Sequence, residues 1–220
     1  MVNKSANLED ATPRSAATRQ AIMATAERLY AQHGLSAVSN RQIGEAAGQN
    51  NTTVVSYHFG SKTTLVREIM TKHSKAIDAI RQRHVSAAGA SDDVRDWVRC
   101  LVRPVTEHLE SLGVPSWHAR FAVLVLTDPM MRAMITDDSL TRPSLQHTLR
   151  ELGNCLKDKV SAQVRRERGE MARHVITHTC AERERMLAEG TARPVAAWKH
   201  TARTLEDALT GLLTAEVSHR

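Results

Sequence analysis

Cysteine is scarce in this 220-residue chain, and its three copies, Cys100, Cys155 and Cys180, lie far apart. An odd number of widely spaced cysteines forms neither a disulfide framework nor a paired zinc motif, so we expect a cytoplasmic protein. Aromatic residues make up only 3% of the chain, which also contains just 10 glycines and 6 prolines. This composition disfavours β-sandwiches and low-complexity chains, and it favours helices.

Long hydrophobic runs are missing too, since the longest apolar stretch is Phe121–Leu126. A membrane-spanning helix needs ~20 apolar residues, and Glu9 and Asp10 occupy the place of a signal peptide's apolar core, so neither a membrane protein nor export is expected. We find no phosphate-binding glycine loop, nucleophile elbow or dinucleotide fingerprint, which predicts a protein that is not an enzyme and needs no cofactor. His174 and His178 stand one helical turn apart, but we interpret them as solvated or interface residues, and no metal site is predicted.

Positive charge is in excess and unevenly distributed. The formal net charge is +6. Residues 1–75 contain nine Lys and Arg against five Asp and Glu, whereas residues 76–220 contain 21 against 19. Basic charge concentrated in a small segment indicates contact with a polyanion such as nucleic acid. A basic helical interaction protein that binds nucleic acid without sequence preference is the alternative, and it would bind any duplex.

The first third of the chain has the pattern of three helices followed by a longer fourth one. Residues 1–17 are polar and aperiodic, which predicts a flexible tail, and Thr18 is the expected N-cap of the first helix. Ser39, followed three residues later by glutamine, is the signature of a capping box at the start of the second helix. A third helix is expected over Thr52–Phe59, and Ser61 is expected to cap the fourth. Two short helices joined by a polar turn have the layout of a helix-turn-helix.

Beyond residue 89 every recognisable pattern is helical. Apolar residues recur with helical spacing in five stretches, at residues 94–109, 117–125, 145–164, 171–189 and 195–217. The spacing of three and four in the last stretch predicts a helix–helix seam formed by Trp198, Ala202, Leu205, Leu209 and Leu212. Because no alternating strand pattern is found, the predicted fold is all-α.

Several motifs in residues 18–70 resemble the tetracycline-repressor (TetR) family. They are Thr18–Ile22, Leu29–Gly34, Val38–Gly48, Tyr57–Lys62 and Leu65. The resemblance implies a transcriptional regulator with an N-terminal helix-turn-helix DNA-binding domain at residues 18–62 and a larger C-terminal helical domain at 63–220. The turn before the third helix is one residue longer than the usual family pattern, and placing the extra residue at Gln49–Asn50 makes Asn51 the expected N-cap.

The resemblance also implies which residues contact a double-stranded DNA operator. Positions facing the floor of the groove are those of Thr52, Thr53 and Ser56. The other implied contacts are with phosphate groups, made either directly or at a helix start that favours phosphate. They involve Arg19, Ser39, Asn40, Arg41, Asn51, Tyr57, His58 and Lys62. The alternative for Ser39 and Asn51 is that they only cap helices. The alternative for Tyr57 and His58 is that they are ordinary half-buried residues of a helix.

For the larger domain, the resemblance implies a homodimer on a palindromic operator, formed through the seam from Trp198 to Leu212. A small hydrophobic effector is expected to bind among Trp97, Leu101, Trp117, Phe121, Met130 and Met134. His118 and Arg120 are the polar groups expected to orient this mostly apolar effector, including an acidic end where the effector has one. Simple core packing is the alternative for the apolar members of this set. The effector is expected to release a repressor from DNA by tilting the fourth helix.

Overall fold

The computed structural model describes residues 13–49, 51, 53–133, 142–192 and 196–217. Within these ranges helix is the only regular secondary structure, which confirms the all-α prediction. The helices are α1 (Pro13–His33), α2 (Asn40–Ala46), α3 (Val54–Phe59), α4 (Lys62–Ala88), α5 (Val94–Ser111), α6 (His118–Thr127), α7 (Pro143–Leu156), α8 (Ala162–Ala188) and α9 (Ala197–Thr214). Residues 129–133 are also helical. Among the described residues, no helix has both the length and the apolar character that crossing a bilayer requires.

The chain divides into two compact units, the first ending at Ile69 and the second beginning at Met70. The sequence suggested a boundary after residue 62, at the start of α4. The division falls later because Leu65, Val66 and Ile69, on the first two turns of α4, are fully buried. The remaining core of the first unit comes from α1, α2 and α3 and includes Ile22, Ala26, Tyr30, Ile43, Val55 and Phe59.

The first helix begins at Pro13 and not at Thr18, so the predicted tail is wrong for residues 13–17. Proline suits the first helical turn because its φ angle is already helical and its missing N–H would have no partner there. Most of this added turn is exposed. An exposed helical turn has no apolar face, and the sequence therefore carries no periodicity that would reveal it.

The second unit is a helical bundle in which α9 packs against α5 and α8, α6 packs against α8, and α7 packs against α5. The apolar stripe predicted as one helix from residue 145 to 164 is two helices. The first of them, α7, ends at Leu156, and α8 begins after Ser161, whose hydroxyl accepts a hydrogen bond from the Val164 amide at 3.3 Å. The apolar stripe continues across this break because Leu156, Val160 and Val164 all contribute to the same core.

The seam predicted for a dimer partner is an internal contact of the second unit. Its members Trp198, Ala202, Leu205 and Leu209 are buried within one chain, and Leu212 packs against the same core. They lie in the helix that packs against α5 and α8, so the predicted dimer seam is wrong. The spacing shows that this face of the helix is buried, but it cannot distinguish a neighbouring helix from a second copy of the chain.

Candidate nucleic-acid interface

The short helix α3 has one buried face and one exposed face. Val54, Val55 and Phe59 are buried and anchor it, while Ser56 and Tyr57 point outward, with Tyr57 83% exposed. A major groove about 12 Å wide admits a helix whose outer side chains are small and polar. The arrangement therefore has the form of a recognition helix held by three apolar anchors.

Close packing of α2 against α3 depends on a glycine. A Cβ atom at Gly44 would lie 3.3 Å from Val54 Cγ1, which is closer than side chains normally approach. At the other end of the contact, the Asn40 side-chain amide donates a hydrogen bond to Ser56 Oγ at 3.4 Å. The hydrogen bond joins the start of α2 to the exposed side of α3, so residues that lie far apart in sequence form one surface.

The start of α2 carries the capping box that the sequence predicted. Ser39 Oγ accepts a hydrogen bond from the Gln42 amide, and the Gln42 side chain accepts one from the Ser39 amide at 2.8 Å. The exposed Arg41 follows in the first turn and pairs with Glu45 at 2.7 Å. A capped helix start with an exposed arginine suits a phosphate group, because backbone N–H groups and a positive charge converge there.

The start of α3 differs from the prediction. The N-cap is Thr53 and not Asn51, and the helix begins at Val54. Asn51 Oδ1 accepts hydrogen bonds from the Thr53 amide at 2.9 Å and from the Thr53 hydroxyl at 2.8 Å. Asparagine thus braces the turn before the helix, a common use of its side chain. Thr52, which was predicted to face the bases, and Asn50 lie outside the described residues.

Arg19 has partners within the first unit where the sequence suggested a phosphate contact. Its guanidinium donates to the His58 carbonyl at 2.5 Å, pairs with Glu68 and lies 4.4 Å above the centre of the Phe59 ring. The side chain therefore ties α1 to the end of α3 and to α4. Its charge thus holds the end of α3 in position.

Lys62 is also engaged inside the unit. Its ammonium group donates to the carbonyls of Leu35 and Val38, the latter at 3.0 Å, and lies 5.2 Å from the centre of the Tyr30 ring. Burial lowers the pKa of this lysine. Because both carbonyls belong to the loop that ends at the cap of α2, the residue positions that helix start. This differs from the direct phosphate contact expected from the motif.

The other predicted contact residues lie on or beside this surface. Thr53 and Ser56 are exposed, and the Tyr57 and His58 rings meet edge to face with their centres 5.1 Å apart.

Residues 22–69 match the family model described as bacterial regulatory proteins, tetR family. Over this range the N-terminal unit is similar to the TetR family. The matched range runs from α1 to α4 and contains the whole surface described above.

Solved structures of TetR-family regulators resemble the chain over nearly its full length. The regulator PfmR from Thermus thermophilus covers 95% of this chain and 99% of its own, at 18% identity and a TM-score of 0.49. A TetR-family transcriptional regulator from Mesorhizobium loti covers 90% of this chain and 97% of its own, at 13% identity and a TM-score of 0.51. The second likeness shows a shared fold. No curated protein matches the chain significantly.

The second unit contains a cavity of about 190 Å³. Its apolar wall includes Met70, Ile77, Val105, Leu109, Ala122, Leu126 and Leu145. Two guanidinium groups also lie on the wall, those of Arg81 and Arg142. Arg81 donates to the Cys100 carbonyl at 3.1 Å, and Arg142 donates to Ser74 Oγ at 3.2 Å.

The predicted effector residues are mostly elsewhere, and of those described only His118 lines this cavity. Trp97 and Phe121 are fully buried, and Leu101 packs against the core that contains Trp97, whereas Met130 is 84% exposed. Core packing thus explains the buried members, which was the alternative reading of their apolar character. Met134 lies outside the described residues.

Two further residues from the predicted effector set hold α6 and are not on the cavity wall. The Arg120 guanidinium pairs with the buried carboxylate of Glu184 at 3.2 Å. It also lies 4.4 Å above the centre of the Trp117 ring. Ion pairing and stacking on an aromatic face are typical of a structural arginine, and neither Trp117 nor Arg120 lines the cavity.

Proposed function

We propose that the chain represses transcription by binding a palindromic operator as a dimer, and that a small effector releases it. The match of residues 22–69 to the TetR family model supports a DNA-binding transcriptional regulator. The observation that carries the proposal is the geometry of α3, whose buried anchors present Thr53, Ser56 and Tyr57 to a groove. Base contacts choose sequence, while phosphate contacts from the start of α2 set the register.

Two copies are needed because one helix-turn-helix reads too few base pairs for specificity. Paired recognition helices must stand about 34–36 Å apart, or a multiple of that distance, to meet successive major grooves. Since the apolar seam of α9 is buried within the chain, we place the dimer contact on the exposed side of α8, where Met171 and Val175 are exposed apolar residues one turn apart. The double variant Met171→Glu/Val175→Glu should sediment as a monomer. If it sediments as an intact dimer, the dimer contact lies on another surface.

The cavity of the second unit supports a small amphipathic effector with an acidic group. Its wall is mainly apolar, and Arg81 and Arg142 supply positive charge there. The fourth helix contributes Leu65 and Ile69 to the core of the first unit and Ile77 to the cavity wall. A ligand that shifts α4 would change operator affinity by a factor of about 5–150, the usual size of allosteric coupling.

Selection of operator fragments from genomic DNA with the purified full chain tests the proposal. We expect a palindromic motif to be enriched. Ser56→Ala should change the preferred base at one position in each half-site, because its hydroxyl lies on the exposed side of α3.

Arg41→Gln is the matched test of a phosphate contact. It should weaken binding to all sequences equally, and the slope of log affinity against log salt should fall by about 1.8, since each dimer loses two charge contacts. If no motif is enriched and Ser56→Ala binds every duplex as the wild type does, the chain is the basic, non-specific binder that its composition also allows.

A further inference from the structure

Three buried histidines from three helices meet inside the second unit. They are His73 on α4, His108 on α5 and His118 at the start of α6. His73 Nδ1 and His108 Nε2 are 2.8 Å apart, and the rings of His73 and His118 are stacked with their centres 3.7 Å apart. One ring nitrogen from each residue lies within 4.8 Å of the other two.

This cluster places three polar rings beside apolar side chains. Its neighbours on the same helices include Val105, Leu109, Ala119 and Ala122, which form apolar surface. Imidazole is polar, and apolar side chains of similar volume would fill the space without the cost of burying it. Three converging imidazoles, by contrast, are the donor set of zinc sites that keep a fourth position open.

We propose that His73, His108 and His118 bind one divalent first-row transition-metal ion per chain. Imidazole nitrogen suits zinc, copper and nickel, and zinc is the reference ion here. Tetrahedral zinc with Zn–N bonds of 2.0–2.1 Å holds its ligand nitrogens about 3.4 Å apart. The nitrogens of His73 and His108 therefore separate by about 0.6 Å on binding. The His118 ring must turn out of its stack, which the broad second torsion of histidine permits.

The site adjoins the cavity because His118 lines both. Three neutral imidazoles leave the double charge of the ion uncompensated, which favours water, hydroxide or an acidic ligand in the fourth position. An effector with a carboxylate could thus bind the ion from the cavity. This last step rests on the proposed function, whereas metal binding itself does not.

The test uses the full chain after removal of metal with a chelator. Titration with Zn²⁺ in a calorimeter, and with Co²⁺ followed by its visible absorption, should show one ion bound per chain. His108→Gln and His73→Gln should each lower the affinity at least ~100-fold, because changes to groups beyond the ligands already cost 10–100-fold. Equal affinity in the wild type and both variants would overturn the proposal.

A matched control addresses the exposed pair His174 and His178, which stand one turn apart on α8. The double variant His174→Gln/His178→Gln should keep the ion. If it loses the ion while His108→Gln retains it, the metal binds at the surface and the proposal fails.

X-ray absorption of the zinc-loaded wild type gives an answer that does not depend on any variant folding. Three imidazole nitrogens at about 2.0–2.1 Å are expected. A shell with two imidazoles or none contradicts the site, because the surface pair supplies only two. These measurements contain no DNA, so a failed operator selection would refute the proposed function and leave the metal site standing.

Discussion

Glu184 holds the start of α6 from a neighbouring helix. Its carboxylate, 1% exposed, accepts hydrogen bonds from Ser116 Oγ at 2.9 Å, from the Ala119 amide at 3.1 Å and from the Arg120 amide at 3.0 Å. Amide groups in the first turn have no partner within their own helix, and the helix dipole favours an anion there. Because Trp117 at the N-cap position provides no side-chain hydrogen bond, Glu184 of α8 acts as the cap of α6.

We expect Glu184→Ala to lower the free energy of unfolding of the second unit by about 3–5 kcal/mol. That is the usual cost of removing one member of a buried ion pair and leaving the other, here Arg120, without its partner. For a unit of this size 1 kcal/mol corresponds to about 2–4 °C, so Tm should fall by about 6–20 °C. Glu184→Gln keeps one acceptor oxygen and should cost about 1–3 kcal/mol.

Tryptophan fluorescence during heating measures this change selectively, because all three tryptophans lie in the second unit. Glu182→Gln is the matched control, since Glu182 lies on the same helix but pairs with Arg185 at the surface, and its Tm should equal that of the wild type. In the Glu184 variants, hydrogen exchange should show faster exchange at the Ala119 and Arg120 amides. An unchanged Tm for Glu184→Ala, or an equal loss in Glu182→Gln, would refute the assignment.

The remaining predictions concern packing and a buried thiol. Gly44→Val should lower the free energy of unfolding in urea by about 1–3 kcal/mol and weaken operator binding, because the new side chain meets Val54. In the control Gly153→Ala the new methyl group meets no atom within 4 Å, so this variant should raise the free energy of unfolding by up to ~1 kcal/mol. Equal free energies of unfolding for the two variants would contradict this explanation. Leu209→Glu should unfold the second unit, because Leu209 is fully buried within one chain. If the variant instead sediments as a folded monomer, Leu209 lies in the dimer interface that the sequence predicted. Burial raises the pKa of the Cys180 thiol from 9.0 to about 12. The folded state therefore favours the protonated thiol, and the stability that this preference provides is complete below pH 9 and is lost as the pH rises towards 12. Urea titrations from pH 8 to 11 should show a smaller decline in Cys180→Ala, and an equal decline would exclude this source.

The helix-turn-helix could be predicted closely because its signals are local. Ser39 and its capping glutamine lie within one turn, and Gly48 ends α2 with a φ of +70°, a conformation that favours glycine. The roles of Arg19 and Lys62 could not be predicted in this way. Their partners are backbone carbonyls and an acidic residue that lie 24 to 49 positions away, and a carbonyl leaves no trace in the sequence.

In the second unit, the sequence predicts which faces are buried but not what covers them. The stripe from Trp198 to Leu209 packs against α5 and α8 of the same chain, although its spacing would suit a partner helix equally well. The three clustered histidines carry no motif, because 35 and 10 residues separate them along the chain. Only the packing of α4, α5 and α6 brings His73, His108 and His118 together.

Polar groups are concentrated at the first turn of α6. Glu184 caps that turn, His118 is its first residue, and the cavity wall continues along the helix to Leu126. Apolar residues of the same volume in place of a buried ion pair are often equally stable or more stable, so stability alone does not explain polar groups at this point. A bound ion or an acidic effector would contact the same turn that Glu184 holds. The start of α6 is therefore the part of the second unit whose position should respond most directly to a ligand.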